Sequence, residues 1–146
     1  MTAEMIVCPH CAATNRVPAE RLAETPHCGS CKRQLFTPHP HDVTSAVLAK
    51  MIARTTLPIV VDFWAPWCAP CRSMAPAYAA AAAKLVPHAL CVKLDTEAQG
   101  EAGAAHRIQS IPTIAAFHGG REIARRAGAL PESAIIAWAR QAIGAG

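Results

Sequence analysis

Apolar positions along most of this chain repeat first with the period of a helix, then with that of a buried strand, in regular succession. Val47, Leu48, Met51 and Ile52 follow an i, i+1, i+4, i+5 spacing, which places them on one helical face ending near Arg54. Thr44 stands before them as an N-cap, and Asp42 and Val43 end a short strand. Residues 58–64 are β-branched or apolar at both parities, apart from Asp62, as in a strand covered on both faces of a parallel sheet. A helix then begins at Cys68. Pro70 falls in its first turn, where a missing N–H costs nothing, and Pro76 predicts a kink further along. An Ala-rich run continues to Leu85.

The remaining pattern predicts a strand over 90–94, a short helix over 100–106 and a strand over 113–117. Gly119 and Gly120 turn the chain into a hairpin strand over 122–127. Pro131 opens a last helix with Ile135, Ile136, Ala139 and Ile143 on one side. The order βαβαβαββα predicts an α/β core with parallel strands first and an antiparallel pair at the end.

Residues 1–36 differ. They are polar, carry paired cysteines and lack aliphatic periodicity. Residues 37–41 contain Pro38 and Pro40, which predict a stiff, non-helical connector. The expected division is a module over 1–36, a linker over 37–41 and a domain over 42–146.

Composition narrows the function classes. A chain of 146 residues with 52% hydrophobic content can build a real core. The net charge of +4 is modest and its Lys and Arg residues are scattered, so no nucleic-acid footprint is expected. No uncharged apolar run reaches membrane-spanning length, and no signal-peptide pattern opens the chain. Seven cysteines form three close pairs plus Cys91. Without an export signal, metal and redox roles fit better than a structural disulfide framework, and a cytoplasmic, monomeric protein without membrane or nucleic-acid partners is expected.

The three Cys-x-x-Cys pairs sit in two contexts. Cys8, Cys11, Cys28 and Cys31 follow the spacing C-x2-C-x16-C-x2-C, which reads as one tetrahedral zinc site. A segment this small has little core of its own, so the metal would supply its folding free energy. The rival reading makes Cys8 and Cys11 a redox pair, which needs a strand before them and a helix after. His10 and His27 neighbour the ligands, either as exposed bystanders or as substitutes in a damaged site, and His39, His41, His88, His106 and His118 carry no assigned role.

Cys68 and Cys71 lie elsewhere, at a helix start. Unpaired N–H groups and the helix dipole there favour a thiolate at Cys68, and Cys71 lies one turn inside, placed to resolve a mixed disulfide. Asp62, in the middle of a doubly covered strand, reads either as a strand-end residue with solvent access or as a buried acid that takes the proton of Cys71. Lys93, on a neighbouring strand, is its counter-charge or a solvated edge residue. Cys91 reads as a small buried apolar side chain. Sequence physics favours a trans bond before Pro112.

Asp62 through Cys71, Lys93, Ile111-Pro112-Thr113 and Gly128-Ala129 together resemble thioredoxin, in order and spacing, from about Pro40 onward. That resemblance implies the thioredoxin fold, a central five-stranded mixed sheet flanked by helices, with a small zinc-ribbon-like module before it. It also implies a cis Pro112 and a buried Asp62–Lys93 pair. Trp67, Ile111, Pro112, Gly128 and Ala129 would rim the substrate surface, where the Ile111 main chain could pair with an extended segment. Two departures stand out: Ala69 replaces the family's usual Gly between the cysteines, and Ser110 replaces a Gly often found before Ile-Pro.

With its four-cysteine leader, the whole chain is similar to the bacterial thioredoxin 2 subfamily. The implied activity is that of a general protein-disulfide reductase, with one zinc ion per chain and no organic cofactor. Its partners would be disulfide-containing client proteins and an NADPH-dependent thioredoxin reductase, and its duty would extend to oxidative stress. Two alternatives remain open at this point: a zinc-regulated sensor or recruiting protein, and a disulfide oxidase or isomerase tuned by Ala69.

Overall fold

The computed structural model describes residues 2–37 and 39–144. Met1, Pro38, Ala145 and Gly146 lie outside the described residues, and with them one proline of the expected connector and the last two residues of the expected domain. Two strands, β1 (Ala3–Val7) and β2 (Thr14–Pro18), come first, followed by a 3-10 turn at Ala19–Arg21. Then come β3 (His41–Asp42), α1 (Ser45–Arg54), β4 (Ile59–Trp64), α2 (Ala69–Leu85), β5 (Leu90–Asp95) and α3 (Gly100–Ala105). The chain closes with β6 (Thr113–His118), β7 (Arg121–Ala127) and α4 (Glu132–Ile143).

From β3 onward this is the predicted βαβαβαββα order. The sheet runs β3-β5-β4-β6-β7, with β3 and β4 parallel to β5 and with β6 and β7 each antiparallel to its neighbour. Side chains of successive β4 residues point to opposite faces, so Val61 and Phe63 enter one core and Val60 the other. Leu48 and Met51 of α1 and Ala102 of α3 cover the first face. Met74, Tyr78 and Ala81 of α2, with Ile135 and Ala139 of α4, cover the second. Tyr78 is fully enclosed there, and its hydroxyl satisfies the carbonyls of Val60 at 3.1 Å and Val92 at 2.8 Å.

Local signals set the helix ends. The Thr44 hydroxyl accepts from the Val47 N–H at 3.2 Å, as expected of an N-cap. Gly119 and Gly120 both have positive φ, 66° and 83°, which a two-residue hairpin turn requires and glycine adopts without strain. Helix α2 continues through Pro76 to Leu85. The Val86–Pro87 bond is cis, as is Ile111–Pro112.

The amino-terminal module contains a hairpin, β1 with β2, that its sequence pattern did not predict. The reason is that its apolar residues serve a shared core. Ile6 and Val7 are both fully buried, and with Val17, Leu35 and Phe36 they join one cluster with Leu48, Met51, Ile59 and Val61. The outer edge of β1 is bonded as well. Met5 N–H donates to Thr56 Oγ1 at 2.9 Å, Thr56 N–H to the Met5 carbonyl at 2.9 Å, and Val7 N–H to Thr55 Oγ1 at 3.1 Å. The expected boundary near residue 36 therefore separates segments of chain that pack as neighbours.

Candidate active site and metal cluster

Cys68 occupies the N-cap of α2 and is joined to Cys71 as a disulfide, with Cα atoms 5.2 Å apart. The Cys71 N–H donates to Cys68 Sγ at 3.2 Å. An amide donor and the positive end of a 17-residue helix both favour negative charge on that sulfur when the bond is opened. Residue exposure barely separates the two, at 4% for Cys68 and 2% for Cys71. What distinguishes them is electrostatic placement.

The rim of the pair is built from three loops. Trp67 is 66% exposed, large and apolar, immediately before Cys68. Ile111 packs partly buried against the cysteines, and its carbonyl oxygen lies 3.8 Å from Cys68 Sγ. Pro112, buried and cis, leads into β6. Gly128 N–H donates to the Pro112 carbonyl at 2.9 Å, which draws exposed Gly128 and Ala129 to the same rim. The φ of 97° at Gly128 is one that side-chain-bearing residues rarely adopt. A cleft of about 330 Å3 in the module, lined by Arg16, Arg21, Glu24 and His27, includes none of these residues. The redox pair lies instead on an open face that suits a protein segment.

Beneath this rim lies a row of charge. Asp62 and Lys93 are direct partners across β4 and β5, so their side chains emerge on one face of the sheet, the one α2 covers. Asp62 is 0% exposed, which removes the reading of a solvated strand-end residue, and neither carboxyl oxygen has a hydrogen-bond partner among the described residues. Burial pushes its carboxyl up, from 3.8 to about 7; Lys93 opposes that rise and Asp42 adds to it. Such a group holds and releases a proton near neutrality. The Lys93 ammonium stands 4.4 Å over the Trp64 ring centroid, and Trp64 packs against Cys68 and Cys71.

In the module, two knuckles of like form face each other. Ala12 N–H bonds the Cys8 carbonyl at 2.9 Å and Lys32 N–H bonds the Cys28 carbonyl at 2.9 Å, with φ of 66° and 68° at these equivalent residues. The sulfurs of Cys8, Cys11, Cys28 and Cys31 all lie within 4.8 Å of one another. Two of their separations, 3.7 Å for Cys8–Cys31 and 3.6 Å for Cys11–Cys28, match the edge of about 3.8 Å that a tetrahedron of Zn–S bonds requires. Backbone N–H groups of His10 and Ser30 point at Cys8 and Cys28 Sγ at 3.4 Å, and the Asn15 amide donates to Cys28 Sγ at 3.5 Å.

Those donors set two thiols apart. Burial holds the Cys8 thiol up at about 12, whereas at Cys28 the N–H donors outweigh burial and bring the thiol down to about 6. Four sulfurs so close can all be thiolates only around a cation. The donor set therefore fits zinc. A strand does precede Cys8, but a turn and a second strand follow it, so the helix a redox pair would need is missing here.

A family model described as "Thioredoxin" matches residues 39–141. The chain belongs to the thioredoxin family. It is accordingly a thiol-disulfide oxidoreductase. A second family model, "Thioredoxin 2, N-terminal", a zinc ribbon, matches residues 7–33. Thioredoxin C-3 of Corynebacterium nephridii is 39% identical over 137 residues, covering 94% of each chain. A chloroplastic M-type thioredoxin of Chlamydomonas reinhardtii is 36% identical, over 64% of this chain and 67% of its own. Among solved structures, a crystal structure of chloroplastic thioredoxin z superposes with a TM-score of 0.65 at 29% identity, covering 74% of this chain and 96% of that one.

Within this thioredoxin-family chain, every residue expected at the redox site falls into one connected region, and the four leading cysteines form a second. Sequence reasoning passed over Asp42 and Trp64. The Trp64 indole N–H donates to Asp42 Oδ1 at 2.7 Å, and Asp42 is the in-register partner of Lys93 on its other side. The shared parity of Asp62 and Trp64 was a usable signal; the pairing of a two-residue edge strand was not. No helix among the described residues is long and apolar enough to cross a membrane.

Proposed function

We propose that this chain is a general protein-disulfide reductase of reducing, cytoplasmic surroundings. Cys68 thiolate attacks one sulfur of a client disulfide, forming a mixed disulfide and releasing the first client thiol. Cys71, its proton passed to Asp62, attacks Cys68 Sγ and releases the second thiol, leaving the Cys68–Cys71 disulfide. Two electrons move from the chain to the client; the first client thiolate takes a proton from solvent, and the second takes the proton held on Asp62. An NADPH-dependent thioredoxin reductase then restores the dithiol. Lys93 balances the negative charge that Asp62 carries before it takes the proton, and Trp67, Ile111, Pro112, Gly128 and Ala129 hold the client segment against the pair.

The observation that carries this reading is the asymmetry at the start of α2: Cys68 at the N-cap receives the Cys71 N–H at 3.2 Å, and the sheet face that α2 covers holds buried Asp62, whose carboxyl has no hydrogen-bond partner among the described residues. Zinc, held by Cys8, Cys11, Cys28 and Cys31 at one ion per chain, would serve as a structural cross-link of the module. A cysteine-trap experiment tests the redox assignment. With Cys71→Ser, client proteins should accumulate as covalent adducts through Cys68, whereas Cys68→Ser should neither trap clients nor reduce insulin. Adducts formed through Cys71 in the Cys68→Ser variant would refute the order of attack.

A further inference from the structure

Strand β3 is only two residues long, yet it is fixed firmly. His41 and Asp42 pair in register with Val92 and Lys93, and Val43 N–H donates to the Lys93 carbonyl at 2.8 Å. Asp42 therefore stands beside Lys93 on the side opposite Asp62. Across β3, β5 and β4 the direct partners read Asp42, Lys93, Asp62: one lysine in register between two aspartates. In-register parallel partners emerge on the same face, so all three side chains share the face that α2 covers. Trp64 closes the row, with its ring under the Lys93 ammonium and its N–H on Asp42.

The three positions are not equivalent. Asp62 is fully buried without a hydrogen-bond partner among the described residues, whereas Asp42 is exposed to solvent and bonded to Trp64. We propose that Asp42 is a positioning residue of the redox centre: by holding Trp64 and drawing on Lys93 from the far side, it limits how far that ammonium neutralises Asp62. The proposal rests on the reading of Asp62 as the proton acceptor only for its effect on turnover. Its effect on Asp62 itself is independent of that reading.

One further charged group shares this face: Asp95 of β5, the in-register partner of Trp64, whose Oδ1 accepts from the Glu97 N–H at 2.9 Å and the Ala98 N–H at 3.2 Å. From β5, Cys91 is buried and its thiol is pushed up to about 12, so it stays neutral. From α2, Tyr78 is held well above its ordinary value by burial, and its hydroxyl is occupied by two carbonyls. Cys71 of α2 is in the disulfide, and β6 places apolar Ile114 opposite Asp62. Asp42 and Asp62 lie two strand spacings apart, roughly 10 Å, with solvent screening one end. A like charge at that distance raises the proton affinity of Asp62 by about half a pH unit at low salt. Its contribution has that direction in the shift of Asp62.

The test is a carbon-13 NMR titration of the Asp62 carboxyl in the oxidised full-length protein, for the parent, Asp42→Asn and Asp42→Ala. Asn keeps an acceptor for the Trp64 N–H and removes only the charge. Asp42→Asn is expected to lower the Asp62 midpoint by about half a pH unit, with a shift that shrinks as salt is added and a Trp64 indole N–H resonance that stays in the hydrogen-bonded range. Asp42→Ala should lower the midpoint too and move that resonance out of the hydrogen-bonded range. An unchanged or raised midpoint in Asp42→Asn overturns the proposal, as does a shift confined to Asp42→Ala, which would leave the hydrogen bond alone in play. If the midpoint falls as stated but Asp62→Asn leaves the pH profile of insulin reduction unaltered, Asp42 keeps its assigned role and the proton-acceptor role of Asp62 is what fails.

Discussion

Replacing Asp62 by Asn should stabilise the oxidised protein by an amount that grows with pH. Burial holds this carboxyl at about 7 in the folded chain, against an ordinary 3.8. Below the lower value it is protonated whether the chain is folded or unfolded. Parent and variant then carry neutral buried groups of similar shape, and their stabilities should nearly coincide. Between the two values the unfolded chain has lost a proton that the folded chain keeps. Parent stability therefore falls as pH rises, by about 1.4 kcal/mol per pH unit. Above the folded value the fall is complete, at about 4 kcal/mol in all. Asp62 is 0% exposed, so solvent screening removes little of this.

The Asn variant escapes that loss, which for a chain of this size corresponds to roughly 10 °C in Tm at mildly alkaline pH. Urea unfolding of the two oxidised proteins, from about pH 4 to about pH 8, measures the difference directly. Other carboxyl groups titrate in both and cancel. A difference that stays flat across this range, or is largest at its acid end, would refute the claim that Asp62 is buried with its proton affinity raised.

Three further outcomes follow from the same geometry. Thr55→Ala strips the Val7 N–H of its partner inside the shared core and should cost about 1–3 kcal/mol, read by urea unfolding, while Thr55→Ser should retain most of it. Trp67→Ala removes an exposed apolar rim and should raise KM for insulin about tenfold while leaving reduction of a small disulfide nearly unchanged. Cys11→Ser should lower bound zinc, measured by atomic absorption. It should also lower the Tm of the whole chain by roughly 8 °C, as expected on losing a ligand present at a hundred times its Kd.

Much of the domain was legible because its signals are local. Thr44 caps α1 as its side chain predicts, Pro70 marks the first turn of α2, and the glycine pair at 119–120 turns the last hairpin. The four leading cysteines were legible for the same reason, since their spacing alone forms two knuckles. What escaped was long-range. The β1–β2 hairpin lacks a self-contained apolar pattern because Ile6 and Val7 find their partners in α1 and β4. Asp42 looked like a strand end, and only the register of β3 against β5 gives it a neighbour in Lys93. The cis bond before Pro112 followed from family likeness and ran against the general preference for trans.

The burial of Ile6 and Val7 among residues of α1 and β4 has a consequence for how this molecule comes apart. A tethered finger could let go of its ion, fray and re-form while the catalytic half carried on undisturbed. Here a cation gripped at one extremity would weigh on a melting event that includes helices α1 and α3, because their apolar residues share one cluster with the module's. Chelation should then register as a single transition at lower temperature and quicker digestion along the entire polypeptide, rather than as trimming at one end.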